Sequence, residues 1–505
     1  MKLTTIWGIA GAGKTQFIAE ILTGQKPFVY DDFSVDNTLL ITFSRMATQV
    51  LQSRILSLAK NKSKQFRVST FHSFIAQQAV RQKIPYRTLS LKEISSFFVS
   101  EGFPPIKART ILNIVDIFTF GHIYDCINKT KVMMLSPAEY YEKFQNRDEP
   151  LYYLSKDEYI RLYNKYQEFL RDVGAYDYTE TLLLGFKLLL PQLKYIVIDE
   201  ANDLCPLMMS LIHKWDPKVC ILIGDPNQNI YDFAGSTEIY LSSVPPTVFI
   251  DVSHRCPTEI GNYALKFMEY GRSFRCVKEG GVVKQITEAD IVDVIRQHKD
   301  KHVLLLPYRI STVEKLSLRF KAENIPHRVF GVLPFSPKLE EFIELIAEYH
   351  TNFENMQFKS LKFLKYLPSD LFGRKKTKIL NMMKQLPNAK VSYYPEIVPV
   401  LRRLFVFPLT KLFELAKPTK EEMQDWLSIR TNPAEWYYTK LELMNIHKSK
   451  GYEADVVIFY YDIPPRHFLG ADPGVIRRLV YTAITRAKEA FYYVIKTADY
   501  HVVSL

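Results

Sequence analysis

Short, continuous runs of apolar residues predict buried strands at widely separated points of the chain. One group contains residues 3–9 (LTTIWGI), 195–200 (YIVIDE) and 219–225 (VCILIGD), and each run ends near glycine or acidic residues. Strands that are buried on both faces have such uninterrupted apolar runs, and polar chemistry in open α/β sheets collects at the carboxyl ends of the strands. These segments therefore predict a parallel sheet with a polar site at one edge.

A second group of apolar runs, at 247–253, 302–307 and 454–461, predicts a second sheet of the same kind. Two other stretches, about 80–175 and 336–430, are rich in Lys, Glu, Tyr and Leu at helical spacing. We therefore expect an α/β fold with two cores, each interrupted by a mostly helical insertion. The expected boundaries are 1–85 with 175–245 for the first core, 86–174 for its insertion, 246–335 with 431–505 for the second core, and 336–430 for its insertion.

Composition and charge limit the classes of protein to which the chain can belong. Its 505 residues are too many for one core, and 47% of them are apolar, which is enough to fill several. The formal charge of +12 points to a polyanion such as nucleic acid as a partner. The five cysteines form no CxxC pair and no His cluster accompanies them, so we expect a reducing compartment without a zinc site or disulfide framework. No apolar run approaches the roughly 20 residues that span a bilayer.

Residues 8–15, Gly-Ile-Ala-Gly-Ala-Gly-Lys-Thr, match the phosphate-loop pattern G-x-x-x-x-G-K-T between a predicted strand and a predicted helix. The N–H groups of such a loop surround phosphates, Lys14 reaches the outer phosphates, and the Thr15 hydroxyl suits Mg²⁺. A glycine turn with an incidental lysine is the alternative, and the flanking strand and helix argue against it. The nucleotide contacts predicted here are Gly11, Ala12, Gly13, Lys14 and Thr15.

Two acidic residues follow the second predicted strand of this sheet. In the segment YIVIDEAND, Asp199 is placed to hold Mg²⁺ and Glu200 to polarise the water that attacks the terminal phosphate. An Asp-Glu pair on its own is as often a solvated strand end. The phosphate loop favours the functional interpretation, which predicts ATP and Mg²⁺ as cofactors, with Thr15 and Asp199 as the metal ligands.

The third predicted strand ends in the segment GDPNQNIYDFAG, residues 224–235. Gln228 lies where a side-chain amide can sense the terminal phosphate. Tyr231 and Phe233 are two residues apart, which places both rings on one face if the backbone is extended. Aromatic faces beside a basic groove stack on bases without sequence preference, and ordinary core packing is the alternative for both rings.

Further motif-like segments follow in order along the chain: ITFSRMATQVLQSRI (41–55), STFHSF (69–74), YQEFLRDVGAYDYTETLL (166–183), DVSHRCPTEI (251–260), IPHRVFGVLPF (325–335), LMNIHKSKGYEADVV (443–457) and RRLVYTAITRAKE (477–489). Together with the phosphate loop, the DEAND box and residues 224–235, they resemble the motifs of the UvrD/Rep-like branch of superfamily 1 DNA helicases. The resemblance runs through nearly the whole chain.

The resemblance implies two RecA-like P-loop NTPase cores with parallel sheets, ATP and Mg²⁺ in the cleft between them, and single-stranded DNA on the opposite surface. It also implies that Arg255 and Arg486 are arginine fingers, which complete the nucleotide site when the cores close, and that Glu453 contacts the ribose. As isolated residues, His72 and His447 are more often structural than ligand contacts. The DNA path that the resemblance implies contains Thr42, Phe43, Ser44, Thr70, Phe71, His72, Tyr231, Phe233 and His447.

The chain departs from the family pattern at several positions. We do not expect the family's glutamine-bearing segment upstream of the phosphate loop, because that loop lies so close to residue 1. Gln16 and His254 stand where the family has the Arg and Tyr that sandwich adenine; they are the expected base contacts, with weak discrimination between purines. Asn202 replaces the Gln of D-E-x-Q-D and Ala234 replaces the Arg before Gly235, which predicts weaker coupling between the ATP and DNA sites.

We therefore expect an intracellular ATP-dependent DNA helicase, cytoplasmic or nucleoid-associated, that acts in replication, repair or recombination. Its expected partners are single-stranded DNA and single-strand/duplex junctions, and its expected state is a monomer. Membership of the UvrD/Rep branch implies 3′ to 5′ movement, although the HKS and YTAITRAK segments are shared with the branch of opposite polarity. Two alternatives stay open: a translocase or protein-stripping motor, on DNA or RNA, without robust unwinding, and a nucleotide-dependent switch that binds nucleic acid.

Overall fold

The computed structural model of the chain describes residues 1–59, 67–103, 107–108, 115–116, 120–145, 151, 154–190, 193–463 and 473–495. Within these ranges the strands are β1 (Lys2–Gly8), β2 (Thr38–Thr42), β3 (Val68–Thr70), β4 (Lys107–Ala108), β5 (Val115–Asp116), β6 (Tyr195–Asp199), β7 (Val219–Gly224), β8 (Val248–Ile250), β9 (Val252–Pro257), β10 (Arg275–Lys278), β11 (Val282–Ile286), β12 (Val303–Pro307), β13 (Arg328–Val329), β14 (Leu441–Leu443), β15 (Ala454–Tyr461) and β16 (Ala487–Ile495).

The α-helices of the described ranges are α1 (Lys14–Leu22), α2 (Arg45–Leu58), α3 (Phe71–Arg81), α4 (Leu91–Ser100), α5 (Phe120–Val132), α6 (Pro137–Phe144), α7 (Lys156–Val173), α8 (Tyr178–Leu184), α9 (Pro206–Trp215), α10 (Ile239–Ser242), α11 (Thr258–Leu265), α12 (Ile291–Gln297), α13 (Ile310–Ala322), α14 (Pro337–Asn352), α15 (Lys376–Gln385), α16 (Val398–Leu404), α17 (Leu409–Leu415), α18 (Lys420–Ile429), α19 (Pro433–Tyr437) and α20 (Pro473–Ile484). None of these helices combines the length and apolar character that crossing a membrane requires.

The first sheet is parallel, with the strand order β3-β2-β6-β7-β1-β8. All residues of β2, β6 and β7 are buried, because helices cover both faces of the sheet. β6 and β7 coincide with the apolar runs YIVID and VCILIG, so the phosphate loop, the DEAND box and residues 224–235 all lie at the carboxyl edge of one sheet.

The second sheet is also parallel, in the order β11-β16-β15-β12-β14-β13. Alternate residues of β12 and β15 belong to two apolar clusters, one on each face of the sheet. The prediction of an α/β fold with two RecA-like cores built on parallel sheets is confirmed.

The prediction that residues 247–253 belong to the second sheet is wrong. β8 pairs with Ile6–Gly8 of β1 and forms one edge of the first sheet. The chain then enters β9, which pairs with β10 and not with a strand of the second sheet. An apolar run indicates that a strand is buried but does not identify its neighbour, and the assignment failed for that reason.

Each insertion has an apolar core of its own. Helices α4 to α7 of the first insertion enclose one cluster of aromatic and aliphatic side chains, and α14 to α19 of the second enclose another. Ser136 and Ser155 begin α6 and α7 with capping boxes, in which serine and a glutamate three residues later satisfy N–H groups at the helix start. Short elements accompany the helices: the antiparallel pair β4 and β5, and 3-10 segments at Phe358–Tyr366 and Ser369–Lys375.

The two cores contact each other directly along the cleft. Ile9, Ala10 and Ala12 of the phosphate loop lie in the same apolar cluster as Phe459 and Ile484 of the second core. Burial of apolar surface between the cores stabilises this closed arrangement. The carboxyl edge of the first sheet therefore faces side chains of the second core.

Candidate active site between the two cores

The phosphate loop joins β1 to α1 through backbone conformations that favour glycine. Gly11 and Gly13 have φ angles of 72° and 75°, in the left-handed region. A Cβ atom on Gly11 would also lie within 2.5 Å of the Arg255 Cβ atom, so this position lets the two cores approach. The buried Nζ of Lys14 donates to the Gly8 carbonyl at 3.1 Å. The loop thus presents Lys14 and backbone N–H groups at the start of α1, where a phosphate group is favoured.

Asp199 lies beside the phosphate loop at the end of β6. It is buried and accepts a hydrogen bond from the Thr15 side chain. Burial, followed by the nearby charge of Glu200, raises the pKa of the Asp199 carboxyl above its ordinary value. A hydroxyl with one carboxylate suits Mg²⁺, which binds through one or two protein oxygens together with phosphate oxygens. No group of three or more His, Cys, Asp or Glu side chains with metal-site geometry occurs in the described residues.

Glu200 occupies the left-handed backbone region, with a φ of 56°. Such a conformation costs a non-glycine residue on the order of 1–3 kcal/mol and is concentrated at functional sites. Burial favours the neutral form of this carboxyl, but four surrounding cations outweigh it and lower the pKa of Glu200; they are Lys14, Lys450, Arg486 and Arg255. Its Oε2 atom accepts no hydrogen bond from a described residue. An ionised carboxylate with an open acceptor is suited to polarise a water molecule.

A chain of buried hydrogen bonds joins the loop after β7 to the second core. The Gln228 amide donates to Asp225 Oδ2 at 2.7 Å, and the Tyr481 hydroxyl donates to the same oxygen at 2.9 Å. The Tyr481 oxygen also accepts from the Ala10 N–H at 3.3 Å. The Arg486 guanidinium donates to Gln228 Oε1 at 2.9 Å. The structure therefore brings Gln228 and Arg486 together across the cleft.

Arg255 also lies at the cleft, next to the phosphate loop. Its Nε donates to Glu453 Oε2 at 2.8 Å, and Lys488 pairs with the other oxygen of Glu453 at 2.7 Å. The His254 N–H donates to the Gly11 carbonyl at 3.0 Å, while the His254 side chain is exposed. The carboxylate of Glu453 thus holds Arg255 in position, and its role at the ribose stays a prediction.

The helices that follow β2 and β3 begin at the same sheet edge as α1. Ser44 and Thr70 cap α2 and α3, because their hydroxyls accept from the N–H groups of Ala47 at 3.0 Å and Ser73 at 3.2 Å. The buried hydroxyl of Thr42 donates to the Ser44 carbonyl at 3.2 Å and supports the start of α2. Two adjacent helix N-termini form a surface that favours phosphate groups.

The ring of Phe71 does not line this surface, which corrects the prediction for that side chain. Phe71 is 2% exposed and packs against Phe43 and Trp215, at ring-centroid distances of 6.2 and 6.0 Å. Phe74 and Ile75, one turn further along α3, are also buried and lie on the same face of the helix as Phe71. The motif identifies the segment, but the helical periodicity of α3 directs this ring into the core of the first sheet.

A stacked aromatic pair, the half-buried His72 and the exposed Tyr178, lies at the start of α3 and α8. The His72 ring stacks on Tyr178 with centroids 3.5 Å apart, and His72 Nε2 forms a hydrogen bond with the Tyr178 carbonyl at 3.0 Å. Burial lowers the pKa of His72 to about 4, so the imidazole is neutral at physiological pH. Tyr178 is 66% exposed and was not singled out from the sequence; its place in the segment 166–183 was the available signal.

Tyr231 is half-buried where the two cores meet. Its hydroxyl donates to the His447 carbonyl at 2.8 Å, and Lys450 Nζ lies 5.4 Å from its ring centroid. The His447 ring lies 5.3 Å from that of Tyr308. A 3-10 helix, Asp232–Ala234, follows Tyr231, so the backbone is not extended and the condition for placing both rings on one face is not met. The side chain of Phe233 lies outside the described part of the structure.

Comparison with protein-family models gives two matches. Residues 2–245 match the N-terminal domain of UvrD/REP helicases, and residues 440–494 match the C-terminal domain of UvrD-like helicases. The matched segments cover more than half of the chain and contribute both walls of the cleft. The chain belongs to the UvrD/Rep-like helicases of superfamily 1. The family hydrolyses ATP to act on nucleic acid. No curated individual protein matches the chain.

Asn202 stands where the D-E-x-Q-D motif of the helicase family has a glutamine. The Asn202 Oδ1 accepts from the Asp225 N–H at 3.2 Å, and Nδ2 donates to Asp203 Oδ1 at 3.1 Å. The shorter side chain therefore joins the loops that follow β6 and β7. Gln16, at another departure from the family pattern, donates to Glu20 Oε1 at 2.9 Å on its own helix.

The helicase cleft also contains Lys450, a cation that the sequence analysis did not single out. Lys450 Nζ donates to Asp203 Oδ1 at 2.5 Å and lies 4.0 Å from Glu200 Oε2. Burial raises the pKa of Asp203, and the charge of Lys450 opposes that rise. Because Lys450 also lies over the Tyr231 ring, it contacts both the acidic loop and the aromatic junction. The feature of the sequence that could have identified Lys450 is its position in the HKSKG segment.

Proposed function

We propose that the chain is a DNA helicase that couples the hydrolysis of ATP, with Mg²⁺, to 3′ to 5′ movement along a single strand. One observation carries the proposal: groups from both cores converge within the cleft, Glu200 and Gln228 from the first core and Lys450 and Arg486 from the second. These contacts depend on a closed cleft, so closure and hydrolysis depend on each other. Repeated closing and opening then moves the cores along the strand.

The geometry of the cleft supports a role in hydrolysis for each of these residues. Thr15 and Asp199 would hold Mg²⁺, which neutralises phosphate charge when bound. Glu200 orients and polarises the attacking water through its open acceptor oxygen. The amide of Gln228, fixed by Asp225 and Arg486, reports the terminal phosphate to the loop that carries Tyr231.

The proposed track runs along the carboxyl edges of both sheets. It comprises the N-termini of α2 and α3, the stacked pair of Tyr178 and His72, and the junction of Tyr231 with His447. Helix N-termini accept phosphates, and aromatic faces stack on bases whatever the sequence. A nucleotide-dependent switch would not need a cross-cleft arginine that contacts the phosphate-sensing amide, so the geometry favours a motor.

A duplex with a 3′ single-stranded tail is expected to be unwound, whereas a duplex with only a 5′ tail is expected to stay paired. The reason is membership of the UvrD/Rep branch. A strand-displacement assay with ATP and Mg²⁺ measures the difference, with a blunt duplex as control and RNA-tailed versions to test the choice of track. Activity should fall steeply with salt because phosphate contacts hold the strand. Unwinding of the 5′-tailed duplex alone would contradict the proposed direction.

Replacing Tyr231 by Ala is expected to weaken the binding of oligo-dT by about 1–3 kcal/mol, through loss of a base-stacking ring. The effect should appear as a higher oligonucleotide concentration for half-maximal stimulation of the ATPase. Tyr231→Phe is the matched control, because it keeps the ring and removes only the hydroxyl that donates to His447. If both variants bind oligo-dT like the wild type, the ring belongs to the core and not to the track.

A further inference from the structure

A cavity separate from the ATP cleft lies at the carboxyl edge of the second sheet. Its volume is about 370 Å³, within the range of sites that hold small ligands. One face of α13, the end of β15 and the segment before α12 form its walls. The lining side chains that matter for the argument are Glu288, Arg309, Thr312, Lys315, Arg319 and Tyr460.

The topology of the sheet explains why a crevice forms there. β12 and β15 are parallel neighbours. α13, which follows β12, packs on one face of the sheet, while α20, the next described helix after β15, packs on the opposite face. Helices that leave adjacent strands in opposite directions open a crevice at the carboxyl ends, and ligands of open α/β sheets bind at such points.

The charges around the cavity favour an anion. Lys315 is exposed and makes no hydrogen bond or ion pair with a described residue. Among the described residues, the Arg309 guanidinium has one hydrogen bond, in which Nε donates to the Asp462 carbonyl at 2.9 Å and the terminal amino groups take no part. Arg319 is about one-third exposed and pairs through Nε with Glu323. Three cations therefore border a space that is open to solvent.

The two acidic side chains of the cavity already have donors. Glu288 accepts from the Tyr460 hydroxyl at 2.8 Å. The Asp462 carboxylate accepts from the backbone N–H groups of Tyr308 at 2.6 Å and Arg309 at 3.2 Å, and it thereby fixes the start of α13. These acids shape the wall of the cavity, whereas Lys315 and the ends of the arginines remain for a ligand.

One residue of the cavity, Arg309, is adjacent in sequence to a residue that borders the proposed track. Tyr308 directly precedes Arg309, and its ring meets that of His447 edge to face at 5.3 Å. The His447 carbonyl accepts the Tyr231 hydroxyl at 2.8 Å. Arg309 therefore lies one residue along the chain from a ring that contacts His447, and α13 begins at the next residue.

We propose that this cavity is a second backbone-binding site, in which Lys315 and Arg319 bind phosphodiester groups of the same strand after it leaves the aromatic junction. The inference rests on the proposed function, because it needs a single-stranded nucleic acid on the track. Arg309 bridges the two sites, and Thr312 lies one helical turn from Arg309 along the same wall.

The test compares Lys315→Ala/Arg319→Ala with a control of equal charge loss, Arg296→Ala/Lys299→Ala, on the exposed surface of the same core. Oligo-dT binding is measured at several salt concentrations and oligonucleotide lengths. Each phosphate contact that is lost on a single strand should lower the slope of log affinity against log salt concentration by about 0.7. The slope for Lys315→Ala/Arg319→Ala, the cavity variant, should therefore be smaller by about 1.4, and this variant should bind about tenfold more weakly at low salt. The defect should appear only with oligonucleotides long enough to pass Tyr231.

Lys315→Arg/Arg319→Lys should restore the slope, and thermal melting shows whether each variant is folded. A slope for the cavity variant equal to that of the wild type, or equal losses in the control, would overturn the inference. If the wild type itself binds no oligo-dT, the proposed function fails as well. The two failures are therefore distinguishable, because only the second abolishes binding in the unmodified chain.

Discussion

Glu200→Gln is expected to reduce the rate of ATP hydrolysis by on the order of a hundredfold or more while ATP still binds. The substitution keeps the shape of the side chain and removes the charge that four neighbouring cations stabilise. An amide cannot polarise the attacking water as a carboxylate does. Steady-state hydrolysis in the presence of single-stranded DNA gives the rate, and a fluorescent ATP analogue gives the affinity.

Lys14→Ala provides the contrasting result, because it removes the phosphate contact of the loop and should abolish hydrolysis by preventing productive binding. Lys14→Ala should therefore impair the binding of ATP, whereas Glu200→Gln should impair only its hydrolysis. Hydrolysis by Glu200→Gln at close to the wild-type rate would show that another group polarises the water. That conclusion requires Glu200→Gln to bind ATP with normal affinity, and the melting temperature of each variant checks its fold.

Arg486→Ala is expected to lower kcat by about a thousandfold, the lower end of what arginine fingers contribute. Arg486 is buried and donates to Gln228 Oε1, so its loss removes both a cross-cleft charge and the fixed orientation of the phosphate-sensing amide. Burial, with the charge of Arg255, lowers the pKa of Arg486 to about 10. The guanidinium therefore stays charged at neutral pH. Titration of Arg486 should cause no change in kcat between about pH 6 and pH 8.

Arg486→Lys is the matched variant for this prediction. It keeps a positive charge but loses the second donor, so it should recover only part of the lost rate. A kcat for Arg486→Ala within a few-fold of the wild type, with normal ATP affinity and a normal melting temperature, would show that the cleft works without this residue.

The positions of the candidate site residues in the first core could be predicted because local sequence pattern determines them. β6 and β7 are continuous apolar runs, and the residues that follow such runs meet at one sheet edge. Asp199 and Thr15 therefore lie together as the sequence indicates. The edge strand β8 could not be assigned in the same way, since its apolar run is equally compatible with either sheet.

Contacts across the cleft were harder to predict because they join residues far apart in the chain. The Tyr481 hydroxyl meets Asp225, and Lys450 meets Asp203, only after the two cores have packed. A match to a sequence motif also identifies a segment of the chain, but it does not show in which direction each side chain points. Phe71 points into the core while the neighbouring His72 stacks on the exposed Tyr178.

The most direct test of the central claim, that hydrolysis in the cleft is coupled to a strand on the proposed track, is the steady-state ATPase rate of the wild-type chain with and without oligo-dT. On the proposed track a bound strand would contact Tyr231 and His447, which are joined to each other across the two cores. The coupling predicts a large rise in kcat with single-stranded DNA. That rise should be lost in Arg486→Ala. An ATPase rate that is the same with and without the oligonucleotide would contradict the motor assignment.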